Sequence, residues 1–426
     1  MAQLSDDCFE TGGGLMPTDE ALAELEMRLT CLVGTEQVLL QAAAGRILAK
    51  DVLSDRAVPP HDNSAVDGYA VYFDDLDTAG ETALPVVGRV AAGHPLVGPA
   101  ARGRAVRIFT GAPIPDGPDG GPDTVLMQED CRTETRDNVP HVVIPAGIAR
   151  GANRRDRGED IAEGQTILAR GQRLRPQDVG LAASIGRNEL LVHARLKVAV
   201  LSTGDEVFEP GAEAPAGGIY DANRHALIAV LSDLGCDVHD IGIVADDRTQ
   251  IESTLTQAAT TCDIILSSAG MSVGEEDHLA ASVAALGRLH FWKVAIKPGR
   301  PVAFGQIGNT PFIGLPGNPA AMMVTFLRLA RPALLRLAGA KDVTPRLYRV
   351  RAGFHYRKKE RRREYVRVRL DTAKDGMLVA HKHPRSGAGV LTSMVESDGL
   401  VELPEEMTQL TPGTMVSFLP FTEVAR

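Results

Sequence analysis

Leu196-Lys-Val-Ala-Val-Leu201-Ser-Thr-Gly-Asp-Glu206 sets the architecture of this chain. Val198 to Leu201 form an apolar strand that runs directly into a polar, glycine-containing turn. The same alternation continues downstream. Arg224 to Leu234 carries helical spacing with Gly235 as a stop, Val238 to Val244 is strand-like, and Thr249 to Thr261 is helical. Ile264 to Leu266 reads as a buried strand, His278 to Leu286 as a helix and Phe291 to Ile296 as a strand. After Pro301-Val-Ala-Phe304 and Phe312-Ile-Gly-Leu315, a long helix starts at Pro319. Strands alternating with helices predict right-handed crossovers and a mostly parallel sheet in an α/β domain.

Outward from this segment the texture changes. Residues 55–140 are rich in Pro and Gly with short Val-rich runs, which predicts a small β domain, and Asp116 to Pro122 reads as an exposed turn. Residues 344–426 return to short β runs, which predicts a further β domain. Near the start, Thr18 is positioned to cap a helix carrying Leu22, Leu25, Met27 and Leu29. The basic run Arg357 to Arg363 reads first as a solvated hairpin.

Bulk properties exclude several function classes. A net charge of −10, one Trp and six Tyr argue against a nucleic-acid surface. Cys8, Cys31, Cys131, Cys236 and Cys262 show no C-x-x-C spacing and read as reduced, buried small residues. No apolar run reaches the ~18 residues of a membrane span, and the first residues lack a signal-peptide pattern. A cytoplasmic setting is the expectation.

In open α/β sheets, ligands bind beyond the carboxyl ends of the strands. Four loops there have unusual composition. Ser202-Thr203-Gly204-Asp205-Glu206 offers hydroxyls, a close backbone approach and acids able to hold Mg²⁺; it also reads as a capped turn. Ser267 to Asp277, with Ser268, Gly270, Ser272 and Gly274, could form an N–H nest for an anion, and Asp277 could equally cap the helix at His278. Lys297-Pro298-Gly299-Arg300 places two cations about a turn suited to a tetrahedral dianion. Pro316-Gly317-Asn318-Pro319 closes a strand and opens a helix whose free N–H groups form an anion site. Neither a P-loop nor a dinucleotide fingerprint is present.

These loops, together with Pro59 to Ala70 (Pro-Pro-His-Asp-Asn-Ser-Ala-Val-Asp-Gly-Tyr-Ala), Thr110 to Pro115, Arg157 to Ile161 and Ile219 to Arg224, carry a resemblance from about residue 16 to 422. The chain resembles the molybdopterin molybdenumtransferase (MoeA) family, which includes the gephyrin E domain. The resemblance implies an elongated, multidomain subunit. A linker and dimerisation region would span 16–54 plus 141–180, a small β domain 55–140, a molybdopterin-binding α/β domain 181–338 and a C-terminal β domain 344–426. It implies a homodimeric transferase of molybdenum cofactor biosynthesis, with molybdate and adenylylated molybdopterin as substrates, AMP released and Mg²⁺ assisting. It further implies transient contact with other molybdenum-cofactor proteins, and neither nucleic acid nor membrane as partner.

Carried over by residue, the resemblance makes Glu206 and Asp246 the metal-facing acids, and Asp277 a residue that positions the ligand or metal. Asp62 and Thr110 would come from the partner subunit. Lys297 and Arg300 would bind the oxyanion or a phosphate, Pro316 to Pro319 would hold the pterin phosphate, and Arg362 would approach the oxyanion pocket. The chain departs from the family pattern at Ala269, Arg300, Ala321 and Ala388 and by a longer 116–122 stretch, changes that touch mostly the oxyanion pocket. Two other readings remain open: an enzyme that adenylylates molybdopterin, and a scaffold that binds a receptor tail.

Overall fold

The computed structural model describes residues 15–268, 278–299 and 301–424. The chain divides into two compact units, one made of 51–169 and 176–188 and the other of the remaining residues. No helix among the described residues is long and apolar enough to cross a membrane.

In the larger unit, the α/β part holds a six-stranded sheet in the order Asp237–Val244, Lys197–Thr203, Ile264–Ser268, Thr310–Leu315, Pro301–Ile307, Gly287–Lys293. The first four strands are parallel and the last two join antiparallel. The strand expected over 291–296 therefore begins earlier and stops at Lys293. Ile296–Lys297 leaves for another sheet, pairing in parallel with Arg363 and Glu364.

The register aligns the strand ends. Thr203 stands opposite Val244, Ser202 opposite Ser268, and Ser268 opposite Leu315, so the carboxyl ends of these strands align along one edge. Helices cover both faces of this sheet. The Ala222–Leu234 helix is capped by the Asp221 carboxylate, which accepts the Arg224 amide at 3.0 Å, and it stops at Gly235 with φ 92°. The Arg248–Thr261 helix is capped by Asp247 in the same manner. Val198, Val200, Ile264, Leu266, Ile313 and Leu315 pack with Leu227, Leu231 and Met322 on one side. Ala199, Leu201, Ile265 and Phe312 pack with Ile251, Leu255 and Val283 on the other.

The C-terminal strands close on themselves. Arg363–Thr372 pairs with Leu378–Lys382 on one side and Gly399–Leu403 on the other, and Tyr348–Ala352 and Met415–Pro420 complete the barrel. The basic run is solvated at Arg357, Lys359, Glu360 and Arg361, but its end is not. Arg363 turns inward to Asp19 at 2.6 and 2.7 Å, with Glu402 and Glu405 each at 3.0 Å. Two further expectations fail nearby. Thr18 lies buried inside the first turn of the Thr18–Arg28 helix, and Pro17 occupies the cap position, because tertiary burial overrides the local capping preference. Cys31 is exposed rather than buried, with its sulfur 3.4 Å from His193 Nδ1.

Arg363 holds the Asp19 carboxyl below its ordinary value, chiefly by hydrogen bonding. A folded-state pKa below the unfolded one adds stability that is full above the ordinary carboxylate range and is lost as pH falls through the folded value. Asp19→Asn is therefore expected to lower stability in the neutral region and to converge with the wild type in acid, which flattens the acid limb of the stability profile. Urea midpoints measured across pH check this.

The smaller unit is built on a sheet in the order Thr124–Met127, Gly68–Val71, Ala105–Ile108, Thr82–Val90, Val139–Ile144, Arg132–Arg136. The antiparallel pairing of Thr82–Val90 with Val139–Ile144 runs on to Ile144, past residue 140. A Cβ at Gly68 would lie 1.7 Å from the Leu126 carbonyl oxygen, so the Asp67-Gly68-Tyr69 run needs glycine for strand contact.

Candidate functional site

Three groupings of expected site residues emerge, two in the larger unit and one in the smaller. The first is a cleft of about 380 Å³ at the carboxyl edge of the sheet, lined among others by Ser202, Glu206, Asp221, Asn223, Ser268 and Asn318. Gly317 and Pro319 also face it, whereas Pro316 is buried behind them. Asn223 Nδ2 donates to the Gly317 carbonyl at 2.7 Å, tying the helix start at residue 222 to the 316–319 turn. Asn223 Oδ1 and Ser202 Oγ are buried without a hydrogen-bond partner, an arrangement that favours a ligand carrying polar hydrogens.

Glu206 and Asp205 lie exposed on the rim. Asp205, not Glu206, meets the Asp246 loop, accepting its amide at 3.4 Å. Thr203 is buried at the strand end, and Gly204 makes the turn with φ 133°. None of Asp205, Glu206 and Asp246 forms an ion pair among the described residues, so their charge is available to a cation. No group of three metal-ligating side chains converges among the described residues. A Mg²⁺ here would rest on one or two carboxylates together with substrate phosphates, its usual mode of binding. Gly270, Ser272, Gly274, Asp277 and Arg300 lie outside the described residues.

Arg224 anchors the floor of this cleft. Its guanidinium is 2% exposed and reaches Asp221 at 3.0 Å, Asp240 and Glu209, joining the helix start to a neighbouring strand and to the loop after Glu206. The sequence placed Arg224 in a helix without assigning it this role. Its three acids are scattered along the chain and converge only in the fold.

The second grouping is a pocket of about 200 Å³ between the Lys297–Gly299 turn and the barrel. Lys297 shares it with Tyr356, Glu364, Arg367, Lys382, Arg385 and Ser386. Lys297 Nζ lies 3.0 Å from Glu364 Oε2, which also accepts the Tyr356 hydroxyl at 2.8 Å. Burial, followed by the bond to Glu364, pushes the Tyr356 phenol well above its ordinary range. Arg362 stands at the back, 3.7 Å from Glu364 Oε1. Gly299, at φ 107°, is required for the turn, because a Cβ there would lie 2.2 Å from Thr325 Oγ1.

The expectation that the Pro319 helix offers free N–H groups is corrected. Ala320 and Ala321 amides donate to the Ala388 carbonyl at 2.9 and 3.3 Å, and Met322 donates to Asn318 at 2.8 Å. The segment that brings Ala388 also lines the second pocket, so the first helical turn lies against the wall of one site and beside the other.

The third grouping lies in the smaller unit. Backbone pairing of 62–64 with 111–114 sets Asp62 and Thr110 in adjacent loops. Asp62 accepts from Arg154 and from the Arg157 amide at 2.7 Å, so its carboxylate holds the 154–157 loop. Thr110 donates through both its amide and its hydroxyl to Asp67 Oδ1, each at 2.8 Å. Those two bonds, the amide first, hold the Asp67 carboxyl below its ordinary value. Asp67 is a residue the sequence reading quoted in a motif but did not single out.

Three family descriptions match in succession: the MoeA N-terminal region (domain I and II) over 16–186, a probable molybdopterin binding domain over 199–336, and the MoeA C-terminal region (domain IV) over 349–421. A molybdopterin molybdenumtransferase of Haemophilus influenzae is 35% identical, covering 96% of this chain and 100% of its own. One from Nostoc is 33% identical over 94% of this chain and 92% of its own. Among solved structures, a molybdopterin biosynthesis moeA protein from Pyrococcus horikoshii superposes with a TM-score of 0.80 at 27% identity, covering 96% of this chain and 100% of that one.

Proposed function

The chain belongs to the molybdopterin molybdenumtransferase family and acts as a transferase in molybdenum cofactor biosynthesis; from that premise we propose that it joins molybdate to the dithiolene of adenylylated molybdopterin and releases AMP. The observation that carries this reading is the pairing, in one compact unit, of a hydroxyl-lined cleft with an acidic rim and a small pocket rich in cations.

In this proposal Ser202, Asn223 and Ser268 bind the pterin side of the substrate, and Thr203 to Asp205 and Gly317 to Pro319 shape the cleft around it. Glu206 and Asp246 would hold Mg²⁺, which offsets pyrophosphate charge during hydrolysis. Lys297, Arg367, Lys382 and Arg385 draw in the tetrahedral dianion, with Ser386 supplying a hydroxyl; Arg's fork and Lys's point charge suit different oxygens of it. Arg300 and Asp277 keep the roles their motifs give them. A cytoplasmic homodimer in which Asp62 and Thr110 are supplied by the second subunit, and the four-part division of the chain, belong to the same proposal.

AMP release from adenylylated molybdopterin is expected to depend on molybdate. ATP-dependent adenylate formation without molybdate would instead identify an adenylylating enzyme. Loss of the Thr110 hydroxyl in Thr110→Val is expected to lower AMP release about 10- to 100-fold, the worth of one hydrogen bond to a charged group, with the urea midpoint little changed because the side chain is exposed and the Thr110 amide still holds Asp67.

A further inference from the structure

Glu364 is an unexpected residue for an anion pocket. Its carboxylate is 1% exposed, yet it lines a cavity whose other charged walls are Lys297, Arg367, Lys382 and Arg385. Oε2 is occupied by Lys297 and Tyr356. Oε1 is buried and has no hydrogen-bond partner; the nearest cation, Arg362, is 3.7 Å away. A buried acceptor of this kind costs free energy unless a donor meets it. Lysine and arginine ligate every oxygen of a fully ionised dianion equally well, but a bare carboxylate repels it. An oxyanion that carries one proton satisfies both walls, since its ionised oxygens face the cations and its hydroxyl donates to Glu364.

We propose that this pocket binds the protonated form of a tetrahedral oxyanion, with Glu364 Oε1 accepting the proton-bearing oxygen and thereby setting specificity. The inference rests on the oxyanion reading of the pocket given above. Hydrogen phosphate carries such a proton in neutral solution; molybdate is a dianion there but, being more basic than sulfate, takes up a proton on binding far more readily than sulfate does. For molybdate the consequence is chemical. One oxo group becomes a hydroxo group before sulfur arrives, and HOMoO₃⁻ + RSH → RSMoO₃⁻ + H₂O then breaks one Mo–O bond and forms one Mo–S bond. The thiol proton joins the departing hydroxo oxygen as water, and molybdenum stays hexavalent.

The groups facing Glu364 are Lys297, Tyr356, Arg362 and Lys358, the last donating to the Arg362 and Glu405 carbonyls. Tyr365, Lys382 and His383 are further titratable groups of the pocket wall, and His383 is the imidazole among them. Its Nε2 lies 2.8 Å from Glu396 and its Nδ1 accepts the Arg385 amide at 3.1 Å, so both ring nitrogens are engaged inside the protein.

The test is calorimetry on the full chain with sodium molybdate, phosphate and sulfate, in buffers of different ionisation enthalpy. Molybdate binding is expected to take up one proton and to weaken about tenfold per pH unit through the neutral range. Phosphate competes and sulfate does not. In Glu364→Gln the proton uptake and the pH slope disappear and sulfate gains affinity to the level of molybdate; a change in packing alone would not produce this. Molybdate binding to the wild type without proton uptake, or a slope and selectivity that survive in Glu364→Gln, overturns the inference. Failure of the wild type to bind any of the three anions overturns the oxyanion pocket itself, and the inference with it. The wild-type proton count stands even if the variant folds poorly.

Discussion

Glu206→Ala is expected to reduce molybdate-dependent AMP release about a hundred- to a thousandfold. Stabilisation of phosphate charge by a bound cation is worth several kcal/mol, and each ~1.4 kcal/mol is tenfold in rate. The fold should hardly notice the change. Glu206 lies exposed and makes no ion pair among the described residues, and its bond to the Ile219 amide runs through the backbone carbonyl, which alanine keeps. A stability change within about 0.5 kcal/mol is expected. Glu206→Gln keeps the shape and loses the charge, so it should raise the Mg²⁺ concentration needed for half-maximal rate. AMP quantified against Mg²⁺ and molybdate decides the matter, and activity within about twofold of wild type in the alanine variant would remove Glu206 from the metal site.

Arg224→Met should have the largest effect on stability. The guanidinium and Asp221 are 2% and 3% exposed, so removing the arginine leaves a buried carboxylate without a cation. Breaking a buried pair in this way costs about 3–5 kcal/mol. Two more acids, Asp240 and Glu209, lose the same partner, but both are partly exposed and add little. Lysine is not expected to rescue, because one ammonium cannot reach three carboxylates arranged around a planar fork. Urea denaturation measures the loss. A shift below about 1 kcal/mol would mean that Asp221 finds water or another donor.

The α/β sheet was legible because its strands are short apolar runs, closed by turns and separated by periodic helices, and such patterns are local. The loops beyond Leu201 and Leu266 followed from them. The second pocket was only half legible. Lys297 stood out beside its Pro-Gly turn, but Arg367, Lys382 and Arg385 sit on strands or turns of a barrel whose closure no local pattern encodes. The departure of Ile296–Lys297 into that barrel could not be read either, because two residues carry no period. Thr18 misled for a related reason: a hydroxyl before an acidic turn looks like a cap until the fold buries it. The Ala388 carbonyl left no trace in the sequence at all, since every residue has one.

That carbonyl has a thermodynamic consequence. By clasping the amides of Ala320 and Ala321 it joins the wall of the second pocket to the helix start beside the first cleft. Whatever stiffens the joint from one side stiffens it for the other, and binding linkage is reciprocal. Under the proposed function, whatever factor an oxyanion in the second pocket imposes on pterin binding in the first cleft is the factor the pterin imposes on the oxyanion.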